Sequence, residues 1–130
     1  MSSSTSVFIA GSPMDEVVSL LAAFIGKPLQ RSGEDPTRYQ ANVLEIKVVA
    51  FEGHGLEDDR GIPFSHYPCE VSFVRYASSD DADLLKQLCQ LLARLFARNV
   101  AANATAECLI VDDLQRLVER VCPPGAVSAH

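Results

Sequence analysis

The run from Leu84 to Val100 constrains this chain more than any other. It is the longest apolar stretch, yet Lys86, Gln87, Gln90, Arg94 and Arg98 interrupt it. A membrane span needs close to twenty predominantly apolar residues in a row. An amphipathic helix instead needs polar groups on one side. Leu84, Leu88, Leu91, Leu92 and Leu95 form the expected apolar stripe, with Leu88 and Leu92 facing the core. Serines and aspartates gather before the run and Arg94 and Arg98 lie near its end, both favourable to the helix dipole. Such a helix draws most of its stability from an apolar surface to lie on. The remaining segments must build that surface.

Most of them read as strands. SVFIA, residues 6–10, is short, β-rich and closed by Gly11. The segment SPMDEVVSLLAAFIG follows, with Ser12 as expected N-cap, Pro13 in the first helical position and Gly26 as terminator. Val17, Leu20, Leu21 and Phe24 give it a helical face. In RYQANVLEIKVVAFE, residues 38–52, Tyr39, Ala41 and Val43 alternate in one phase and Ile46, Val48 and Ala50 in the other. The slip near Leu44–Glu45 means either a bulge in one long strand or a tight hairpin. Cys69, Val71 and Phe73 alternate as a half-buried strand, and ECLIV, residues 107–111, reads as a short buried one. Asp112 and Gln115 fit a capping box before the stripe Leu114, Leu117, Val118 and Val121, which predicts a last helix.

The expected order is βαββαβ with an extra C-terminal helix: an α+β, ferredoxin-like split βαβ sandwich with both long helices on one face of an antiparallel sheet. At 130 residues the chain is expected to form a single domain, ordered over about 6–121 with loose ends at 1–5 and from 123. Four cysteines, at 69, 89, 108 and 122, make no CxxC pair, so a thiolate zinc site is not expected. The N-terminus has neither a basic region nor a long apolar run, and the expectation is a cytoplasmic chain with reduced thiols and no membrane contact.

Seventeen acidic against eleven basic residues give a net charge of −6, which argues against direct nucleic-acid binding and suits a basic partner. No GxSxG, Gly-rich phosphate loop or HExxH is present, and Ser65 beside His66 would point the opposite way in an extended segment. Neither an enzyme nor a cofactor is expected. His54, Glu57, Asp58, Asp59 and His66 offer metal-ligand atoms within a short stretch. They lack an EF-hand register and a helix that fixes two ligands four apart, so no metal is expected. The same stretch, EGHGLEDDRG, leaves one strand and turns toward the next, with Gly55 and Gly61 to bend it and Ile62, Pro63, Phe64 and Tyr67 to anchor its return. Such a stretch is either a plain solvated turn or a charged crown on rigid ends, where binding residues are commonly displayed. Glu57, Asp58 and Asp59 are the expected partner-facing acids, and Phe64 or Tyr67 the hot spot if its ring is exposed. One of the adjacent aspartates is expected to be structural, and Arg60 to pair with Asp58 or Glu57.

The run HGLEDDRGIPFSHYPCEVSFVRY, residues 54–76, resembles a motif of small bacterial immunity proteins, encoded beside the toxins of contact-dependent and other polymorphic toxin systems. Residues 54–67 carry the resemblance, and the element order extends it over 6–121. It implies a cytosolic, non-enzymatic protein that binds one cognate toxin domain, often a basic nuclease, and occludes its active site. It supplies no fixed functional residues, because each immunity protein matches its own toxin. The alternative is a small-molecule-binding or enzymatic ferredoxin-like α+β domain.

Overall fold

A computed structural model describes residues 3–35, 37–43, 45–58, 61–75, 82–98, 107–112 and 114–122. Among them lie seven strands and two helices. They are β1 (Ser3–Ala10), α1 (Met14–Ile25), β2 (Gln30–Arg31), β3 (Arg38–Val43), β4 (Ile46–Glu52), β5 (Cys69–Arg75), α2 (Ala82–Arg98), β6 (Glu107–Asp112) and β7 (Leu117–Val121). The strands form one antiparallel sheet in the order β2-β3-β4-β5-β1-β6-β7. β5 therefore separates β1 from β4, and β1 separates β5 from β6. Each helix connects strands that are not neighbours. The class is α+β.

Local chemistry sets the element boundaries. The Pro13 carbonyl accepts the first helical N–H groups, from Glu16 and Val17, so α1 begins one residue later than the sequence suggests. Ser12 makes no cap; its hydroxyl reaches Glu16 at 3.5 Å. Gly26 ends the helix at φ 77°, a conformation that costs a side-chain-bearing residue energy, and its N–H closes on the Ala22 carbonyl. The phase slip in residues 38–52 is a tight hairpin, with Val43 paired to Ile46. β1 starts at Ser3, earlier than the expected Ser6.

The predicted C-terminal helix is absent; β7 stands in its place. Asp112 does not cap a helix. Its Oδ1 accepts the N–H groups of Leu114 and Arg116, at 3.0 and 2.9 Å, and its carbonyl accepts that of Gln115. Gln115 takes φ 57°, outside the right-handed helical range, and the chain reverses so that Leu117–Val121 pairs with β6. Those local bonds, together with a free sheet edge, overrule the helical spacing of the leucines and valines.

Alternation gives the sheet two apolar faces. Val7, Val48, Val71, Phe73 and Ile110 meet Val17 and Leu21 of α1 and Leu85, Cys89, Leu92 and Phe96 of α2 in the main core. Both helices thus share one face. Leu92 is fully buried as expected, Leu88, Leu20 and Phe24 only partly, while Leu84, Leu91 and Leu95 stay exposed. The buried face of α2 is displaced from the expected stripe. Phe8, Leu109 and Val111 point to the opposite face, where a second cluster forms. No helix among the described residues is long and apolar enough to cross a membrane.

Candidate functional site

Residues 53–58 and 61–68, between β4 and β5, lie over the sheet face opposite the helices. The loop is closed at its base, where the Gly53 N–H donates to the Pro68 carbonyl at 3.0 Å beside the last strand pair, Glu52 and Cys69. Gly55 and Gly61 bend it at φ 70° and 79°, the left-handed region that favours glycine.

The returning half is buried. Ile62, Phe64 and Tyr67 pack on Phe8, Leu109 and Val111, with the Phe64 and Phe8 ring centroids 4.9 Å apart. A 3₁₀ turn at Phe64–His66 turns Phe64 inward and leaves Ser65 and His66 exposed. The Tyr67 hydroxyl donates to the Glu107 carboxylate, which also accepts from Arg120 at 2.8 Å. Burial together with the Glu107 bond raises the Tyr67 pKa well above the ordinary tyrosine value. Burial works to raise that of Glu107, but the Tyr67 and Arg120 donors outweigh it and hold the carboxyl below the usual range. The sequence reading makes Phe64 or Tyr67 a hot spot only if its ring is exposed. Each is 2% exposed, so these rings anchor the loop to the sheet and offer a partner no aromatic surface.

His54 holds the outgoing half. Its Nδ1 accepts the Leu56 N–H at 2.9 Å, which leaves the proton on Nε2 to donate to the Tyr67 carbonyl at 2.7 Å. Its ring meets Phe8 edge-on, with centroids 5.2 Å apart. Both nitrogens are thereby committed to the backbone. The imidazole braces the loop.

Between these two clamped halves stand the acids. Glu57 and Asp58 are exposed. Asp58 Oδ1 accepts from the Ser65 hydroxyl at 2.7 Å and the Ser65 N–H at 2.9 Å, which lowers its pKa below the usual aspartate value. Asp58 is therefore the structural aspartate, ionised and fixed in position, while Glu57 extends from a loop that others hold. Asp59 and Arg60 lie outside the described residues, as does the ion pair expected of Arg60. That leaves Asp59 of the suggested metal-ligand set outside the described residues. Among the described residues no group of three or more His, Cys, Asp or Glu side chains is placed to hold an ion.

Sequence reasoning overlooked Glu70 on the same sheet face. It is 9% exposed, and its Oε2 accepts from Ser6 at 3.0 Å and Ser72 at 2.9 Å, the two hydroxyls being 2.7 Å apart. Shared parity on paired strands was the available signal, since Ser6 lies opposite Ser72 and Glu70 opposite Phe8. The hydroxyls satisfy a carboxylate that would otherwise be costly to bury. The buried thiols are packing groups: burial pushes Cys69 up to about 11, helped by Glu52, and Cys108 up to about 12, helped by Glu107.

Among the described residues, the loop holds the carboxylates of Glu57 and Asp58 at the surface between its two anchored halves, with the Ser65 hydroxyl bonded to Asp58 at 2.7 Å. No protein-family model, curated protein or solved structure matches the chain.

Proposed function

We propose that this chain is a cytosolic immunity protein that binds a cognate bacterial toxin domain and neutralises it by covering its active site. One observation carries the reading: the exposed acids Glu57 and Asp58 sit on a loop whose both halves are clamped to the sheet. A preorganised loop loses little conformational freedom on binding. Fixed acidic groups, on a chain of net charge −6, steer and register a basic surface such as that of a nuclease. The fold reading that goes with it is a ferredoxin-like split βαβ unit, made of the central order β4-β5-β1-β6 and the two helices. The hairpin β2–β3 widens one edge and β7 the other.

For small-molecule binding, the described residues include two concavities. One, of about 140 Å³, lies beside Lys27, Gln30 and Gln40. The roomier is a groove of about 290 Å³ between the helices and the sheet, lined by Phe24, Ile25, Val43, Ile46, Val48, Phe73, Leu84 and Leu88. That lining is apolar throughout and lacks the convergent polar groups that orient a ligand. Partner binding is the stronger reading. The deciding experiment mixes purified protein with the domain encoded immediately upstream and measures that domain's toxic activity. Stoichiometric loss of activity with a stable complex supports the proposal, and full activity in the presence of excess protein refutes it.

A further inference from the structure

The sheet face that carries the acidic loop holds a carboxylate short of hydrogen-bond donors. Glu70 of β5 lies between Phe51 of β4 and Phe8 of β1 and is 9% exposed. Its Oε2 meets the Ser6 hydroxyl at 3.0 Å and the Ser72 hydroxyl at 2.9 Å, and those hydroxyls are 2.7 Å apart. The three oxygens thus make three contacts. Each hydroxyl has one proton and a carboxylate has none, so two protons serve three contacts. The other carboxylate oxygen, Oε1, accepts no hydrogen bond among the described residues and is not sealed from solvent. The cluster is rich in acceptors, and one of them stands open.

A largely buried carboxylate with an undonated oxygen is costly for the fold alone, and an arriving donor relieves it. A hydroxyl or a backbone N–H would bring one proton and no charge. A basic side chain brings several N–H donors, a positive charge and no acceptor, which is what the cluster lacks. No cation of the described chain supplies it. Arg38 and Lys47 share this face, but Arg38 lies over the Phe51 ring, two strands or about 10 Å from Glu70. Lys47 is two residue pairs further along, opposite Val74. Arg120 is held by Glu107. The loop with Glu57 and Asp58 packs on Phe8, directly beside Glu70, so acids border the cluster on that side.

We propose that Glu70, with Ser6 and Ser72, is a socket for one basic side chain of the toxin domain, which donates to Oε1. This rests on the toxin-binding reading and gives it a centre: the loop acids guide a basic surface in, and Glu70 holds it. Charges at the rim of an interface act mainly on association, whereas a desolvated charge pair at its centre acts on dissociation.

Stopped-flow kinetics with the domain encoded immediately upstream separate the two. Glu70→Gln keeps the shape and an oxygen for the serines but removes the charge. It should dissociate about tenfold faster or more and associate within about twofold of wild type, with an unchanged circular dichroism spectrum. In wild type, the carbon-13 resonance of the Glu70 carboxyl should move when the domain is added, a measurement that decides alone if the variant does not fold. A folded Glu70→Gln that dissociates at the wild-type rate overturns the socket and leaves the toxin-binding reading standing, as does a carboxyl resonance that stays in place in the wild-type complex. Absence of any complex with wild type overturns both.

Discussion

The Tyr67 phenol donates to the Glu107 carboxylate, joining the loop after β4 to a strand 40 residues further along. Arg120 of β7 meets the same carboxylate, so three segments are tied at one point. The bond should make the loop's anchorage dependent on pH in both directions. Tyr67 has its folded pKa raised above 10.0, so its contribution is complete below that value and is lost as pH climbs through the folded one. Glu107 has its folded pKa depressed below 4.5, so its contribution is present above that value and is lost as pH falls through the folded one. Tyr67→Phe should cost about 1–2 kcal/mol near neutrality. Denaturant titrations of wild type and variant should converge at the acid and alkaline extremes. A difference that is the same at every pH would mean that the bond does not form.

Core substitutions should separate the two faces of α2. Leu92 is fully buried, and Leu92→Ala should cost about 2–5 kcal/mol. Leu88→Ala should cost less, because Leu88 only borders the core, and Leu91→Ala should fall within about 0.5 kcal/mol. Phe64→Ala should cost about 3–5 kcal/mol despite its place in a loop. Equal losses at Leu91 and Leu92 would contradict the orientation of the helix.

The turn between β6 and β7 offers a gain in stability. Gln115 sits at φ 57°, where a Cβ is disfavoured by roughly 1–2 kcal/mol. Gln115→Gly should therefore raise the thermal midpoint, the relief being partly offset by the greater freedom of glycine in the unfolded chain. A fall of several degrees would show that Gln115 does not hold this conformation.

The strands and helices that follow a clean period were legible in the sequence. α1 was readable from Val17, Leu21 and Gly26, and β5 from Cys69, Val71 and Phe73. The hairpin at residues 38–52 was one of two alternatives, and register alone separates them. The phase of α2 was harder because the helix is apolar on two flanks. Leucines dominate the open flank, while Cys89, Ala93 and Phe96 help to fill the core. β7 eluded the pattern because a short run of valines and leucines fits either period. At the site, the exposure of Glu57 and the structural part of one aspartate were legible. Phe64 and Tyr67 were legible as anchors of the returning loop, but not the surface they anchor to, a second apolar sheet face that exists only once Phe8, Leu109 and Val111 are aligned.

The acidic loop as a partner-facing surface is tested most directly by titrating the cognate toxin domain at two salt concentrations. The variant is Glu57→Gln with Asp59→Asn, which leaves the Asp58–Ser65 bonds intact. Asp58→Asn serves separately to probe the loop's geometry. Wild type should bind more weakly at high salt. The double variant should associate more slowly, bind more weakly at low salt and show a flatter salt dependence, with an unchanged melting temperature. Equal affinity of wild type and double variant at both salt concentrations would contradict the account and remove the loop from the binding surface.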